Sequence, residues 1–334
     1  MMKLIIIGER DSKRADYMKQ AAGDLGVTTE LFEWDALQDE ETLCHLTGAA
    51  VKIEPPGFRT ENLARMRKFL TEEYKRALEK LAGLDCRFLN PPETIWQLLD
   101  KKKTKQLLKE QQIPATQMVP EHFQNAAELL CWMRKNRRYG VFIKPRFFSG
   151  AAGVAALRIN PRGEMALYTS CRRTEKSLAN TKRLVRMTRQ DDILKTLDAL
   201  FSLDCIVELW HPKSMIGKKS YDLRIVYQFG HIAHIVARQS CGPITNLHLN
   251  NGALPVEALG LSDNDMRRIT DVCRGAMSCF PGLTMAGIDI LLEKDTMRPL
   301  IIEMNGQGDL IYQDIYGENN IYREQVRQLC SMSI

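Results

Sequence analysis

The chain has 334 residues, of which 44% are hydrophobic and 26% are charged, the composition of an ordinary globular protein with room for about two or three structural units. No window reaches the roughly 18 uninterrupted apolar residues of a membrane span, and the apolar run from Leu4 to Ile7 is shorter than the about 7–15 residues of a secretory signal. We therefore expect a cytoplasmic protein with no membrane segment. Its nine cysteines form no CxxC pair and are expected to be reduced and free of zinc.

The net charge of +6 is unevenly distributed along the chain. Residues 158–189, here called the basic stretch, contain nine basic and two acidic side chains, so their charge is +7 and the rest of the chain is close to neutral. A segment of this kind attracts an acidic partner or nucleic acid. The alternative is a solvated, mobile surface loop, and both interpretations stay open at this point.

The first 88 residues predict an α/β domain. Residues 3–7 form a buried type of strand, a polar helix follows near residues 12–23, and residues 27–32 are a second strand candidate. Residues 54–57 predict a loop and residues 61–81 a long charged helix. The turn at Gly8 lacks the GxGxxG pattern, so a dinucleotide site there is poorly supported.

A domain boundary is predicted near residues 88–92, where a helix begins. Asn90 is placed as the N-cap, Pro91 as the first helical position, and the helix is expected to continue until Pro114 ends it. Asn125 begins another helix by the same pattern. The pattern then becomes β, with strands predicted at 141–143, 154–159, 206–209, 223–229 and 231–237 and a hairpin at 287–304. Strands with helices between them predict an α/β and α+β fold class.

The last hairpin carries polar residues in an apolar setting. Glu303 and Asn305 are two positions apart and therefore project from the same face of a strand. A turn centred on Thr296 places Asp289 opposite Glu303. Two carboxylates this close repel unless a cation lies between them, and hard oxygen ligands are those that Mg²⁺ prefers. The alternative is a set of unrelated polar residues on a solvated face.

Three further segments carry weaker signals. Lys144 ends a strand, and the small residues 149–153 that follow it let backbone N–H groups approach phosphate oxygens, although a flexible hairpin tip has the same composition. The strand at 206–210 ends in Glu208 and Trp210. Such a segment can bind a purine through its backbone groups and the flat tryptophan ring, and the alternative is an ordinary strand end with a tryptophan in the core. Asp222 and Arg224 lie on one face of a strand, but a lone Asp-x-Arg pattern is more often a surface ion pair than part of a site.

Taken in chain order, these residues resemble the ATP-grasp superfamily, and most closely the RimK-like ligases that modify ribosomal protein S6. The resemblance covers residues 90–310, and the N-terminal third is similar to the pre-ATP-grasp α/β domain of that superfamily. It implies an ATP-grasp fold divided at residues 1–88, 89–207 and 208–334. The residues that carry it are Asp100-Lys101, Lys144, Glu208-Leu209-Trp210, Asp222-Leu223-Arg224, Thr245-Asn246-Leu247-His248, Asp289 and Glu303-x-Asn305.

The resemblance implies roles for these residues around ATP and Mg²⁺, for which Mn²⁺ can substitute. The catalytic residues, placed near the phosphates and the transferring phosphoryl group, would be Arg224, Arg238 and Asn246. The nucleotide contacts would be Lys101 and Lys144, the flap residues Ser149, Gly150 and Gly153, the adenine-binding Glu208, Leu209 and Trp210, and Asp222 at the ribose. The metal ligands would be Asp289, Glu303 and Asn305.

The implied activity is that of a carboxylate–amine ligase. ATP would convert a carboxylate into an acyl phosphate, which an amine or related nucleophile attacks, and the substrate could be an amino acid or an acidic peptide. Alternatives are an ATP-grasp phosphotransferase, a nucleotide-binding pseudoenzyme, and a nucleic-acid-binding protein that uses residues 101–105 and the basic stretch. Nucleic acid is disfavoured because no basic motif is interleaved with aromatic residues.

The sequence also departs from the RimK-like pattern. The interval between Glu208 and Asp222 is longer than in that group and carries Lys213, Lys218 and Lys219. Ile244 stands where an arginine is common, and the flap has one glycine fewer than many relatives. These departures concern the substrate and activity more than the fold.

Overall fold

The computed structural model describes residues 3–175, 177–249 and 251–331, and for Lys182 and His248 the backbone alone. Lys176 of the basic stretch therefore lies outside the described residues. Within the described ranges, no helix combines the length and the apolar character needed to cross a membrane.

The N-terminal unit is a parallel sheet covered by helices. Its strands are β1 (Lys3–Ile7), β2 (Thr28–Phe32), β3 (Ala50–Ile53) and β4 (Arg87–Phe88), in the spatial order β2-β1-β3-β4. Its helices are α1 (Lys13–Asp24), α2 (Glu40–Leu46), α3 (Leu63–Phe69) and α4 (Lys75–Ala82). The predicted elements are confirmed. The long charged helix contains a π-helical turn at Leu70–Tyr74, between α3 and α4.

The prediction of one continuous helix after Asn90 is wrong. Two helices form, α5 (Pro92–Leu99) and α6 (Lys101–Glu110), because Asp100 leaves the helical conformation and caps α6 by accepting from the Lys103 amide at 3.2 Å. Asn90 is not an N-cap either. Its side-chain amide donates to the carbonyls of Met285 and Gly306 at 2.8 and 2.7 Å, so it joins the start of α5 to the C-terminal sheet.

The central unit is an antiparallel sheet with helices on one face. Its strands are β5 (Gly140–Pro145), β6 (Ala155–Ile159), β7 (Met165–Arg173), β8 (Leu178–Met187) and β9 (Cys205–Leu209), in the order β8-β7-β6-β5-β9. The predicted N-cap Asn125 is confirmed at the start of α7 (Ala126–Lys135), which with α8 (Gln190–Phe201) shares one core cluster with this sheet. The described residues of the basic stretch include the end of β6 and all of β7 and β8, so its interpretation as a loop is wrong.

The C-terminal unit is an antiparallel sheet with the order β13-β12-β11-β14-β15. Its strands are β10 (Met215–Ile216), which pairs with β11, β11 (Lys219–Gln228), β12 (His231–Ser240), β13 (Gly252–Pro255), β14 (Met285–Leu292) and β15 (Pro299–Asn305). Helix α9 (Asp263–Ser278) shares its core. The short α10 (Tyr312–Ile315) leads to α11 (Asn320–Ser331), which packs with α1 against the N-terminal sheet.

The architecture confirms the predicted α/β and α+β fold class. It also confirms the pairing of Asp289 on β14 with Glu303 on β15. The division at residues 88 and 207 stays a prediction, since α11 packs on the first unit although it belongs to the last segment of the chain.

Candidate functional site

A cleft with an empty volume of about 590 Å³ lies between the central and C-terminal sheets. Many of the predicted site residues line it. They are Lys144, Glu208, Leu209, Asp222, Arg238, Asn246, Asp289 and Glu303. The other predicted residues lie around it and are not among its lining residues. They are Lys101, Ser149, Gly150, Gly153, Trp210, Arg224 and Asn305.

The central-sheet wall of the cleft is built around the buried carboxylate of Glu208. Lys144 on the neighbouring β5 lies 2.9 Å from one oxygen, and the Thr116 hydroxyl donates to the same oxygen at 2.7 Å. Lys105 approaches the other oxygen at 3.8 Å. Burial acts to raise the pKa of Glu208, but Lys105 and Lys144 outweigh it, so the pKa is lowered and the carboxylate is charged.

Lys105 was not predicted as part of this wall. Burial lowers its pKa to about 8 against the opposing effect of Glu208. A signal was present in the sequence, because Lys101, Lys105 and Leu108 recur at helical spacing and share the buried face of α6. The run 101–105 was instead considered as a nucleic-acid contact.

The opposite wall is a network of buried ion pairs. Arg238 on β12 bridges two carboxylates, with Nε 2.8 Å from Asp222 and Nη2 3.0 Å from Asp289. Asp222 also binds Lys213 at 2.9 Å and accepts from the Thr245 hydroxyl. Burial acts to lower the pKa of Arg238, and the two carboxylates outweigh it and raise the pKa. Both oxygens of Asp222 are therefore engaged, and its predicted contact with a ribose stays a prediction.

The predicted metal ligands meet at the far end of this network. Asp289 faces Glu303 across the hairpin, and Asn305 ends the same strand. The expected repulsion between the carboxylates is relieved by side chains, since Arg224 lies 2.8 Å from Asp289 and Lys101 lies 3.1 Å from Glu303. Among the described residues, no group of three or more His, Cys, Asp or Glu side chains is arranged to hold a metal ion. Two carboxylates and an amide oxygen nevertheless fit Mg²⁺, which usually completes its shell with water and phosphate oxygens.

The predicted flap, residues 149–153, covers one end of the cleft. Gly150, Ala151 and Gly153 have positive φ values of 65°, 63° and 72°. A Cβ on Gly153 would lie 2.6 Å from Pro145, so a larger residue does not fit there. Ala151 packs in one small cluster with Ile244, which is only 4% exposed. The hydrophobic residue at 244 is thus explained by contact with the flap.

Trp210 does not form the predicted flat wall inside the cleft. Its ring lies beneath the guanidinium of Arg158, 4.0 Å from the ring centroid, and 4.7 Å from the ring of Phe142. Phe142 and Leu209 supply apolar surface to the cleft instead. Phe142 was missed because nothing in the sequence separates it from the other apolar residues of β5.

Comparisons with known proteins identify the fold. No family model and no curated protein matches the chain. Among solved structures, D-cycloserine synthetase DcsG matches with a TM-score of 0.62 at 13% identity, over 98% of this chain and 99% of that one. Macrocyclase MdnC bound with precursor peptide MdnA from Microcystis aeruginosa MRC matches with a TM-score of 0.61 at 14% identity, over 99% and 100%.

A third matching structure is described as an ATP-grasp ligase. The ATP-grasp ligase PsnB, complexed with a phosphomimetic variant of its minimal precursor, Mg and ADP, has a TM-score of 0.57 at 12% identity, over 99% of both chains. At such identities the likeness concerns the fold, and this chain has the ATP-grasp fold. The finer resemblance to RimK-like ligases stays a prediction.

Proposed function

We propose that the protein is an ATP-dependent ligase that activates a carboxylate as an acyl phosphate and joins it to an amine. The observation that supports this most is the cleft itself. In one ATP-grasp fold it brings together the Lys144–Glu208 wall, the bridging Arg238 and the facing pair Asp289 and Glu303. The similarity to structures of a synthetase, a macrocyclase and a ligase supports the same class.

The charges in the cleft suit phosphoryl transfer. In the proposed reaction an oxygen of the substrate carboxylate forms a bond to the γ-phosphorus as the bond from that phosphorus to ADP breaks. The amine then attacks the acyl carbon, phosphate leaves, and the amine loses a proton. In this proposal Arg224 and Arg238 would stabilise the charge on the phosphoryl oxygens, and Lys144 would bind the nucleotide. Asp289, Glu303 and Asn305 would hold Mg²⁺, which neutralises phosphate charge when bound.

A phosphate-release screen tests this function. The protein is supplied with Mg·ATP and with pools of carboxylates and amines, including acidic peptides, and free phosphate is measured. We expect release only when a carboxylate and an amine are both present. Release that does not depend on an amine would indicate hydrolysis, and formation of ADP without free phosphate would indicate phosphotransfer. Nucleotide binding without turnover across all pools would indicate a pseudoenzyme.

The affinity for Mg·ADP is expected to weaken as the pH rises through about 8, where Lys105 loses its proton. Below that pH, Lys105 and Lys144 together outweigh the charge of Glu208. Above it the wall around Glu208 has lost one positive charge, so the cleft attracts a polyanion less, by about 1 kcal/mol or about fivefold in Kd. Calorimetric titrations across this range would measure the step.

Two variants on α6 serve as test and control for that step. Lys105→Met removes the titrating group and should flatten the profile, whereas Lys109→Met, at an exposed position of the same helix, should leave the step unchanged. A step of the same size in Lys105→Met would contradict the assignment to Lys105.

A further inference from the structure

Beyond the cleft, the face of the central sheet that carries Phe142, Lys144 and Glu208 continues into a region that the proposed reaction does not use. Side chains alternate along a strand, so Arg158 on β6 projects away from the face that α7 and α8 cover. Arg186 on β8 pairs with Tyr168 and lies on the same side as Arg158, with β7 between their strands. The two arginines thus flank one strand, about 10 Å apart across the sheet. Together with their neighbours they line a groove with an empty volume of about 1490 Å³.

The groove has a large excess of positive charge. Arg137, Arg138, Arg158 and Arg186 line it, whereas Glu164 is its one acidic lining residue. All four arginines are exposed, and among the described residues none lies within ion-pair distance of a carboxylate. Stacking against Trp210 holds the Arg158 guanidinium in place. Four cations without carboxylate partners favour an anionic ligand.

The structure divides the basic stretch into two separate regions. Arg158 and Arg186 belong to the groove, but Arg172 and Arg173 lie at the other end of β7, next to the turn that leads to β8. Arg172 is six residues beyond Ala166, the partner of Arg158, a separation of about 20 Å along the strand. The basic residues near that turn therefore provide a control with the same charge.

We propose that this groove docks an acidic, extended segment of a peptide substrate, an inference that rests on the proposed ligase function and specifies its substrate class. Arginine guanidinium groups bind carboxylates through paired hydrogen bonds, and an extended chain presents every second side chain to the same surface. The groove adjoins the cleft, because Leu209 lines both. A docked segment raises the effective concentration of a reactive carboxylate elsewhere in the same peptide.

Of the two aromatic residues that line the groove, Tyr139 is exposed and the larger, Trp210, is covered, and the covered tryptophan favours a peptide over nucleic acid. Single strands are bound mainly by stacking bases on free aromatic faces. The Trp210 ring is already covered by Arg158 at 4.0 Å and packed against Phe142 at 4.7 Å. The charge of the groove thus remains available, whereas its largest ring does not offer an open platform.

Binding of a fluorescent oligo-glutamate peptide to the full chain, without nucleotide, tests the docking directly. At about 0.01 M ionic strength, where the Debye length is about 30 Å, we expect saturable binding that weakens as salt is added. The double variant Arg158→Glu with Arg186→Glu should raise Kd by about tenfold or more. The control Arg172→Glu with Arg173→Glu changes the net charge equally. At about 0.15 M ionic strength, where the Debye length of about 8 Å is shorter than the separation of about 20 Å, it should raise Kd by less than about threefold.

Several outcomes would overturn the proposal. They are equal losses in the two double variants, an absence of saturable binding in the wild type, and tighter binding of a single-stranded oligonucleotide of equal charge. Arg158→Gln with Arg186→Gln replaces the Glu variant if circular dichroism shows that the latter is misfolded, and it should still weaken binding. Because no ATP is present, a failure of the ligase function would appear in the phosphate screen and leave this measurement unaffected.

Discussion

Replacing Arg238 with alanine is expected to lower the free energy of unfolding by about 3–5 kcal/mol, the usual cost of removing one partner from a buried ion pair. Arg238 is only 5% exposed and bridges Asp222 and Asp289 at 2.8 and 3.0 Å. Its removal leaves two buried carboxylates facing each other with less compensation, which raises the free energy of the folded state. Urea denaturation followed by circular dichroism measures the loss.

A matched control separates this effect from the general loss of an arginine. Arg274 lies 2.9 Å from Asp271 on α9, and both side chains are more than 60% exposed. Screening by solvent makes such a pair contribute at most about 1 kcal/mol. Arg274→Ala should therefore leave the denaturation midpoint almost unchanged, and a similar loss in both variants would contradict the role of the buried bridge.

The same network determines how Arg238 should be tested for a catalytic role. Arg238→Lys keeps a positive charge but cannot bridge both carboxylates, so it should fold, bind nucleotide and lose most turnover. Lys144→Ala is expected to act differently and to weaken nucleotide binding itself, since Lys144 lines the cleft beside Glu208. Equal losses of nucleotide affinity in the two variants would contradict this division of roles.

Hairpins account for the part of the site that could be predicted. Paired residues in a regular antiparallel hairpin have a constant sum, and counting from a turn at Thr296 placed Asp289 opposite Glu303, as the structure has it. A register shift between Asp289 and Ile290 displaces the pairs nearer the turn by one residue, and this shift was not predicted. Between β11 and β12 a register shift separates Val226 from Tyr227, so regular counting from the turn does not give the observed pairing of Asp222 with Arg238. The Asp-x-Arg pattern alone suggested only a surface pair.

Pairings between distant strands were beyond the sequence. Arg224 lies opposite Asp289 because β11 is the neighbour of β14, an arrangement that no local pattern specifies. Asn90 was assigned to a helix cap for the same reason, since its partners Met285 and Gly306 are far away in the chain. Strands β7 and β8 both escaped prediction, since residues 158–189 were considered for their charge alone. The register shift in their pairing, between Thr169 and Cys171, is a property of the pair and not of either segment.

ATP is expected to stabilise the protein strongly only when Mg²⁺ or Mn²⁺ is present. In this structure Lys101 and Arg238 neutralise Glu303 and Asp289. Bound phosphates would compete for these cations and leave negative charge on both sides of the hairpin, so a divalent ion is required to balance it. A ligand at about 100 times its Kd adds about 2.7 kcal/mol, which a melting-temperature series detects.

Two substitutions in the β14–β15 hairpin show whether the Mg²⁺ dependence of stabilisation by ATP comes from Asp289 and Glu303. Glu303 and Glu293 have similar side-chain exposures of 23% and 24%, but Glu303 lines the cleft and Glu293 does not. Glu303→Gln removes one of the facing charges and should reduce the extra stabilisation that Mg²⁺ gives to ATP, whereas Glu293→Gln should preserve it. ATP with excess chelator could instead raise the melting temperature of the wild type as much as Mg·ATP does. Phosphate binding would then depend on the protein cations alone, and Asp289, Glu303 and Asn305 would not be metal ligands.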